Sequence, residues 1–400
     1  MREMKDSGVK WVGEIPSSWK VYKVKQIADS NNDVLPENYE EEQEIDYIEI
    51  GSVTYEHGVR TTEKMKFGNA PSRARRIVHN GDTIISTVRT YLKAIAYIND
   101  SLADKIVSTG FSVVTPHKDV VAKFLYYALS THSFISNVEA HSVGISYPAI
   151  NNTNLMDLKI VLPMQREQIQ IASYLDAKCS KIDEIIEKQQ AIIEKLKEYK
   201  FSIITEAVTK GINPDVELKD STIDMCEQIP VHWSISQNRY LFSLRDEKNY
   251  KPLEEVRLLS LYTDLGVFPH GEQEERGNKA VKAEGYKVVY ENDIVVNIIL
   301  AWMGAIGRSA YDGVTSPAYD IYKPNENVCS RYYHYLYRTK PFSAECYKYG
   351  RGIMAMRWRT YSSEFKSIKV PVPPYIEQCQ IADYLDSKCE MLDKTIADRN

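Results

Sequence analysis

From Gln165 to Lys210 apolar and polar residues alternate with a helical period. Leu175, Ile182, Gln189, Leu196 and Ile203 stand seven apart, and Ile171, Lys178, Ile185, Ile192 and Tyr199 fill the alternate seam positions. This heptad pattern with polar interruptions predicts a single helix on the order of 65–70 Å long at about 1.5 Å per residue. No proline or glycine interrupts it, and Pro163 and Gly211 bound it. Eight Lys or Arg are balanced by eight Asp or Glu between 165 and 211, so the helix is neutral and better suited to packing than to holding phosphate. A second stretch, from Ile376, repeats the seam with Ile381, Leu385, Lys388 and Leu392. It predicts a second helix that reaches Asn400, the counterpart of Gln190, and is shorter than the first by roughly twenty residues.

Outside these helices the pattern changes to short apolar runs bounded by turn residues. Thr83–Ser86 and Ile294–Ile299 read as strands, preceded by Gly81-Asp82 and Asn292-Asp293 turns. Segments 119–130 and 328–338 read as short helices. The tyrosines between Arg331 and Arg338 match Phe124-Leu125-Tyr126-Tyr127, which predicts a packed helix rather than a stacking platform. Prolines 163, 371, 373 and 374 mark a rigid hand-over from each globular segment (20–160 and 234–370) to its long helix.

The chain also aligns with itself at a shift of about 210 residues. Met4-Lys5-Asp6-Ser7 matches Leu218-Lys219-Asp220-Ser221, and Glu14-Ile15-Pro16-Ser17-Ser18-Trp19 matches Gln228-Ile229-Pro230-Val231-His232-Trp233. Asn80-Gly81-Asp82 matches Glu291-Asn292-Asp293, and segment 115–131 matches 323–339. Ten of thirteen positions are identical between 167–179 and 377–389. Two copies of this size are a duplicated domain and not a solenoid, and the pseudo-twofold symmetry that results suits a target with two half-sites. The expected fold is α+β: two mixed α/β recognition domains in pseudo-twofold repeat, separated by two long antiparallel coiled-coil-like helices. The expected divisions are 1–163 (first domain), 164–211 (first helix), 212–227 (linker), 228–374 (second domain) and 375–400 (second helix).

A net charge of −5 argues against a protein that coats nucleic acid without specificity, but local basic patches remain open to it. The six cysteines form no Cys-x-x-Cys pair, so neither a zinc ribbon nor a thioredoxin-like site is suggested. The N-terminal sixteen residues lack the apolar core of a signal peptide, and no apolar run approaches a membrane span; a reduced, cytoplasmic protein without membrane association is expected. No phosphate-binding loop and no His-Glu-x-x-His spacing occur. Val372-Pro373-Pro374-Tyr375 is similar to the Asn/Asp-Pro-Pro-Tyr motif of amino-methyltransferases, but valine cannot hydrogen-bond the target amino group. The acidic clusters Glu40-Glu41-Glu42 and Glu272–Glu275 read as solvated loops rather than metal sites.

DNA contact is the more plausible chemistry. Candidates are Lys64 and Lys66, then Arg73, Arg75 and Arg76, then Arg89, Tyr91 and Lys93 after a strand. In the second copy they are Trp302 and Arg308, then Arg351, Arg357, Trp358 and Arg359. Arginine reads guanine edges bidentately, lysine mainly holds phosphate, and aromatic rings stack on displaced bases or pack against thymine methyls.

On the motif Lys5-Asp6-Ser7-Gly8 through Trp11-Val12-Gly13-Glu14-Ile15-Pro16 to Trp19, its echo at 219–233, the Asn-Gly-Asp strand start, and the Leu-Pro-x-x-Glu-Gln and Pro-Pro-x-x-Glu-Gln segments before each Tyr-Leu-Asp helix, the chain resembles the specificity subunits of type I restriction-modification systems. The resemblance spans almost the whole chain; the short second helix departs from it. It implies a non-catalytic subunit in which each domain reads one half of a bipartite, asymmetric target in double-stranded DNA. It further implies that the paired helices set the unread spacer and dock two methyltransferase subunits through the seam residues Ile171, Leu175, Ile182, Ile185, Ile192, Leu196, Ile381, Leu385 and Leu392. The resemblance also implies that no cofactor binds the chain directly, that S-adenosylmethionine belongs to the methyltransferase partner, and that two restriction or motor subunits complete the assembly. The shortened second helix leaves an alternative, a decoy or coiled-coil adaptor without productive DNA recognition.

Overall fold

A computed structural model describes residues 2–9, 11–263, 265–271, 283–352 and 358–399. Its contacts divide the chain into two compact units, Met1–Ile185 and Ile186–Asn400, each an α+β structure built on the same plan. The acidic segment Glu272–Glu275 and the candidate Arg357 lie outside the described residues. Among the described residues no helix is long and apolar enough to cross a membrane.

In the first unit the central sheet has the strand order Ile95–Tyr97, Thr83–Ser86, Phe111–Pro116, Ala28–Ser30, antiparallel throughout. Thr83–Ser86 is buried on both faces, which is why it reads as a continuous apolar run. Helices α1 (Ala122–Leu129), α2 (His132–Ala140) and α3 (Asn152–Met156) pack on it through Leu125, Leu129, Phe134, Ile135 and Val138. A second sheet orders Glu63–Lys66, Glu44–Ile48, Ile106–Ser108 and Ala74–Ile77, its middle pair parallel. Strand Lys159–Leu162 pairs with Lys20–Lys23 and delivers the chain into α4 (Gln165–Lys210), 46 residues without a break.

The second unit repeats this order: Phe242–Arg245, Tyr319–Pro324, Ile294–Asn297, Ile306–Arg308. Its helices are α5 (Asn238–Leu241), α6 (Ser330–Tyr337), α7 (Lys340–Tyr349) and α8 (Ser362–Ser367), and Lys369–Val372 pairs with Ser234–Gln237 before α9 (Tyr375–Ala397). Tyr332, Tyr333 and Tyr337 of α6 are fully buried among Phe242, Phe342 and Phe365, as the match to α1 predicts.

Hydrogen bonds account for the repeated motifs. In the Asn-Gly-Asp turn, buried Asp82 accepts from the His79 amide (2.7 Å) and from Thr115 Oγ1 (2.7 Å). Burial raises the Asp82 pKa. Asp293 accepts from the Tyr290 amide (2.9 Å) and, instead of a threonine, from Arg245 Nε (2.8 Å). The middle position needs a left-handed backbone, supplied by Gly81 (φ 95°) in one copy and Asn292 (φ 71°) in the other.

The Glu-Gln pair is equally specific. Gln168 Nε2 donates to Pro163 O (2.9 Å) and its Oε1 accepts from the Val121 amide (2.8 Å), the N-cap position of α1. Gln378 does the same between Pro373 O (2.9 Å) and the Cys329 amide (2.9 Å), the N-cap position of α6. Each buried amide therefore ties the start of a long helix to the start of a domain helix. Glu167 accepts from Trp19 Nε1 (3.0 Å), and Glu377 contacts His232 Nε2 (2.8 Å), fixing the opening Ile-Pro-x-x-Trp segment of each copy. Tyr127 to Asp176 (2.7 Å) and Tyr335 to Asp386 (2.6 Å) add a further matched pair.

Within the second unit the C-terminal half of α4 runs antiparallel to α9. Tyr332 Oη donates to Val208 O (2.7 Å), Lys200 Nζ meets Asp393 Oδ1 (2.6 Å), and Arg399 Nη1 donates to Gln189 (2.9 Å). Ile203, Ile204, Ala207 and Val208 join Ile381, Leu385 and the tyrosine core. The heptad assigns Ile192 to the seam, whereas Ile193 is the buried residue (3% exposed against 37%). Strict sevens are maintained only by supercoiling, and a straighter helix drifts about 20° per heptad.

Candidate nucleic-acid interface

The strand Thr83–Ser86 ends at one edge of the first unit, and three segments distant in sequence are stitched together there. Thr87 N donates to Gly110 O (2.8 Å), Ile150 N to Thr87 O (2.9 Å), and Thr109 N to Arg73 O (2.8 Å). Val88 and Val143 each form a bridge with Ala149, so residues 143–149 fold into a miniature hairpin held against the turn that follows the strand. That turn is a 3-10 helix, Thr90–Leu92, flanked by two left-handed non-glycine residues, Arg89 (φ 49°) and Lys93 (φ 53°). Thr90 Oγ1 lies 2.8 Å from Ser142 Oγ, and the Arg89 guanidinium sits 5.3 Å from the centroid of Tyr147.

The surface of this tip is apolar, aromatic and cationic. Tyr91, Leu92, Val143, Ile145 and Tyr147 are exposed beside Arg89, with Lys93 half-buried. Segments 87–94 and 141–150 contain no carboxylate, in a chain with five more acidic than basic residues. Phosphate would therefore meet cations here without opposing charge from these segments.

The second unit builds the same edge. Thr360 N donates to Ile298 O (2.9 Å), Arg351 and Arg359 bridge where Val143 and Ala149 do in the first unit, and the 3-10 helix Ala301–Met303 replaces Thr90–Leu92. Segments 298–305 and 350–360 again contain no carboxylate and include Arg351, Arg357 and Arg359. Arg351 is mostly exposed and pairs with Glu364 (2.9 Å), and Arg359 donates to Trp358 O (2.9 Å). Trp302 and Trp358 are half-buried. Trp358 stacks on Tyr347 at 4.9 Å and donates to its carbonyl, and Trp302 contacts the same ring edge-on at 5.9 Å.

Of the sequence candidates, the fold brings Arg73, Arg89, Tyr91 and Lys93 to the first tip and Trp302, Arg351, Trp358 and Arg359 to the second. It places Lys64, Lys66, Arg75, Arg76 and Arg308 elsewhere. Lys64 and Lys66 are on the edge strand Glu63–Lys66, where Lys66 pairs with Glu42 (2.5 Å). Arg75 lies over Phe67 at 4.9 Å, and Arg76 is half-buried, with its pKa lowered by burial. Arg308 belongs to the far end of its sheet pairing, opposite Ile294, and is held by Asn292 (2.8 Å) and Glu291 (3.4 Å). The segment that sequence reasoning did not single out by residue is 143–149; the signal was its run of exposed-type apolar residues around Gly144 without an acidic neighbour.

Gly304 (φ 87°) stands where the first copy has Lys93. A left-handed lysine costs roughly 1 kcal/mol that glycine avoids. Lys93→Gly is expected to leave thermal stability unchanged or raise it by up to about 1 kcal/mol. DNA affinity is expected to fall and its salt dependence to flatten by about one counterion, as read from binding isotherms at several salt concentrations.

The architecture defines a class: a duplicated α+β chain with long helices and two matching tips whose own segments carry Arg or Lys and no Asp or Glu. Residues 16–199, just under half of the chain, match the type I restriction modification DNA specificity domain. The chain is 24% identical over 408 residues to a protein named "Putative type I restriction enzyme MjaX specificity subunit" from Methanocaldococcus jannaschii, spanning 96% of this chain and 89% of that one. It is 27% identical over 194 residues to the MjaIX specificity subunit of the same organism, a match that spans 46% of this chain and 43% of that subunit. The fold is shared with a chain from a structure of the type I R-M system that addresses complex assembly and conformational transition (TM-score 0.71, 18% identity, 96% and 93% of the two chains). It is also shared with the HsdS subunit from Thermoanaerobacter tengcongensis (TM-score 0.56, 19% identity, 97% and 92%).

Proposed function

We propose that each unit reads one half-site of a bipartite DNA target through its tip, and that the chain performs no catalysis of its own. The observation that carries this reading is the recurrence, in both units, of a bridge-closed tip whose segments contain Arg or Lys and no Asp or Glu, on a chain whose net charge is −5. Arginines held at such tips can reach guanine O6 and N7, and lysine can hold the flanking phosphates.

Methylation and restriction belong to partner subunits in this reading. S-adenosylmethionine is bound by methyltransferase subunits, two per specificity chain, and two restriction or motor subunits join them. In this reading the methyltransferase subunits meet the N-terminal part of α4, where Ile182 and Ile185 are exposed. The seam residues Ile381, Leu385 and Leu392 are buried in the second unit and serve its own packing.

The test is a methylome. The chain is co-expressed with its methyltransferase and the host DNA is sequenced by a method that reports N6-methyladenine. A bipartite motif is expected. Replacing residues 20–160 with the corresponding segment of a relative should change one half of that motif and leave the other intact. Change in both halves, or in neither, would remove the assignment of one unit per half-site.

A further inference from the structure

We infer that the hairpin 143–149 is a DNA wedge: Ile145 enters the base stack of the duplex beside the bases read by the first unit and unstacks one step. The inference rests on the DNA-reading role above and specifies how the first tip engages its target.

Three observations lead to it. Ile145 is fully exposed (102%), and Val143 (79%) and Tyr147 (68%) flank it, so three large apolar side chains in five residues have little protein to cover them. The hairpin that carries them is tightly tied. Val143 N donates to Ala149 O (2.8 Å) and Ala149 N to Val143 O (3.0 Å), with Ile150, Thr90 and Arg89 anchoring its base and its Tyr147 ring. Arg89 and Lys93 stand at its base, with no carboxylate in either tip segment. An apolar point beside these cations matches a partner that is anionic outside and apolar within, which is the chemistry of a base-paired stack between phosphate rails.

Isoleucine is among the side chains that wedge between base steps and kink a duplex. The step it opens also lowers the cost of extruding a neighbouring base, which an enzyme modifying that base requires. Apolar contact with a thymine methyl in an undistorted major groove is the competing use of the same side chain, and it would leave the stack closed.

The experiment uses the full chain assembled with its methyltransferase subunits and duplexes carrying the mapped target. 2-Aminopurine replaces one base at a time across the half-site assigned to the first unit. Wild type is expected to raise fluorescence several-fold at one step only. Ile145→Ala should keep its melting temperature, since the side chain has no protein contact to lose. It should bind roughly tenfold more weakly and abolish the fluorescence rise at saturating protein; Ile145→Phe should restore the rise. Arg89→Ala should weaken binding but retain the rise at saturation.

If Ile145→Ala leaves the fluorescence signal intact, the wedge is overturned. It is equally overturned if replacing thymine by uracil in the target reproduces the Ile145→Ala loss without any change in 2-aminopurine signal, because Ile145 then contacts a methyl group. In both cases half-site reading by the first unit stands. If Ile145→Ala, Arg89→Ala and Lys93→Gly all bind the target as wild type does, the tip is not the interface and the reading beneath the wedge falls with it.

Discussion

Leu392→Asp is expected to unfold the second unit, while Ile182→Asp, at the equivalent heptad position of the first copy, is expected to leave the fold intact and abolish methyltransferase recruitment. The two residues occupy the same place in the repeat, 210 apart. Leu392 is 5% exposed, on the face of α9 that meets the C-terminal half of α4; Ile182 is 54% exposed. A carboxylate at Leu392 loses the apolar burial and must be desolvated or protonated, at a cost of at least about 4 kcal/mol. At Ile182 water already reaches the side chain, and a surface substitution there changes stability by roughly 0.5 kcal/mol or less. Thermal denaturation of the isolated chain separates the two variants, and co-purification with the methyltransferase reads docking. Recruitment unaffected by both Ile182→Asp and Ile185→Asp would move the docking surface off this part of α4.

Gln378→Leu is expected to destabilise the second unit by about 2–4 kcal/mol, and Gln168→Leu the first by a similar amount, although leucine is more hydrophobic and close in size. Each glutamine is about 1% exposed and serves two buried backbone groups at once, a proline carbonyl and the N-cap amide of a domain helix. Leucine leaves both without partners, and an unsatisfied buried donor or acceptor costs about 1–3 kcal/mol. Hydrogen exchange at the Val121 and Cys329 amides provides the local readout; both should lose protection before the rest of their units. A shift in denaturation free energy below about 1 kcal/mol would mean that water or backbone rearrangement replaces the clamp.

These two cases show how unevenly the sequence and the structure divide the account. The Glu-Gln motif stands out in the sequence because it recurs, yet its purpose is invisible there. Gln168 meets Val121 across 47 positions, and only the fold brings them together. The Asn-Gly-Asp motif was more legible. A turn with a left-handed middle residue and a carboxylate that returns to the amide three residues earlier is local chemistry, so the strand after it could be placed from sequence. The basic candidates were least legible. Arg75, Arg76 and Arg308 look like Arg89 in a sequence, but the fold seats them away from the tip, over Phe67, in a strand and against Asn292.

What the sequence determined alone was the duplication, the long helices and the strand starts. Each depends on residues within a few turns of one another or on repetition, and local periodicity survives without knowledge of the fold. Tertiary structure decided how the apolar seam of α9 is covered, with Leu392 buried on the face that meets the C-terminal half of α4. It also decided the tip, where Arg73, the Thr87–Lys93 turn and the 143–149 hairpin meet. Those segments carry no shared sequence signal, because they are joined by long-range backbone hydrogen bonds, which any side chains can form and which only the packed sheets bring into register.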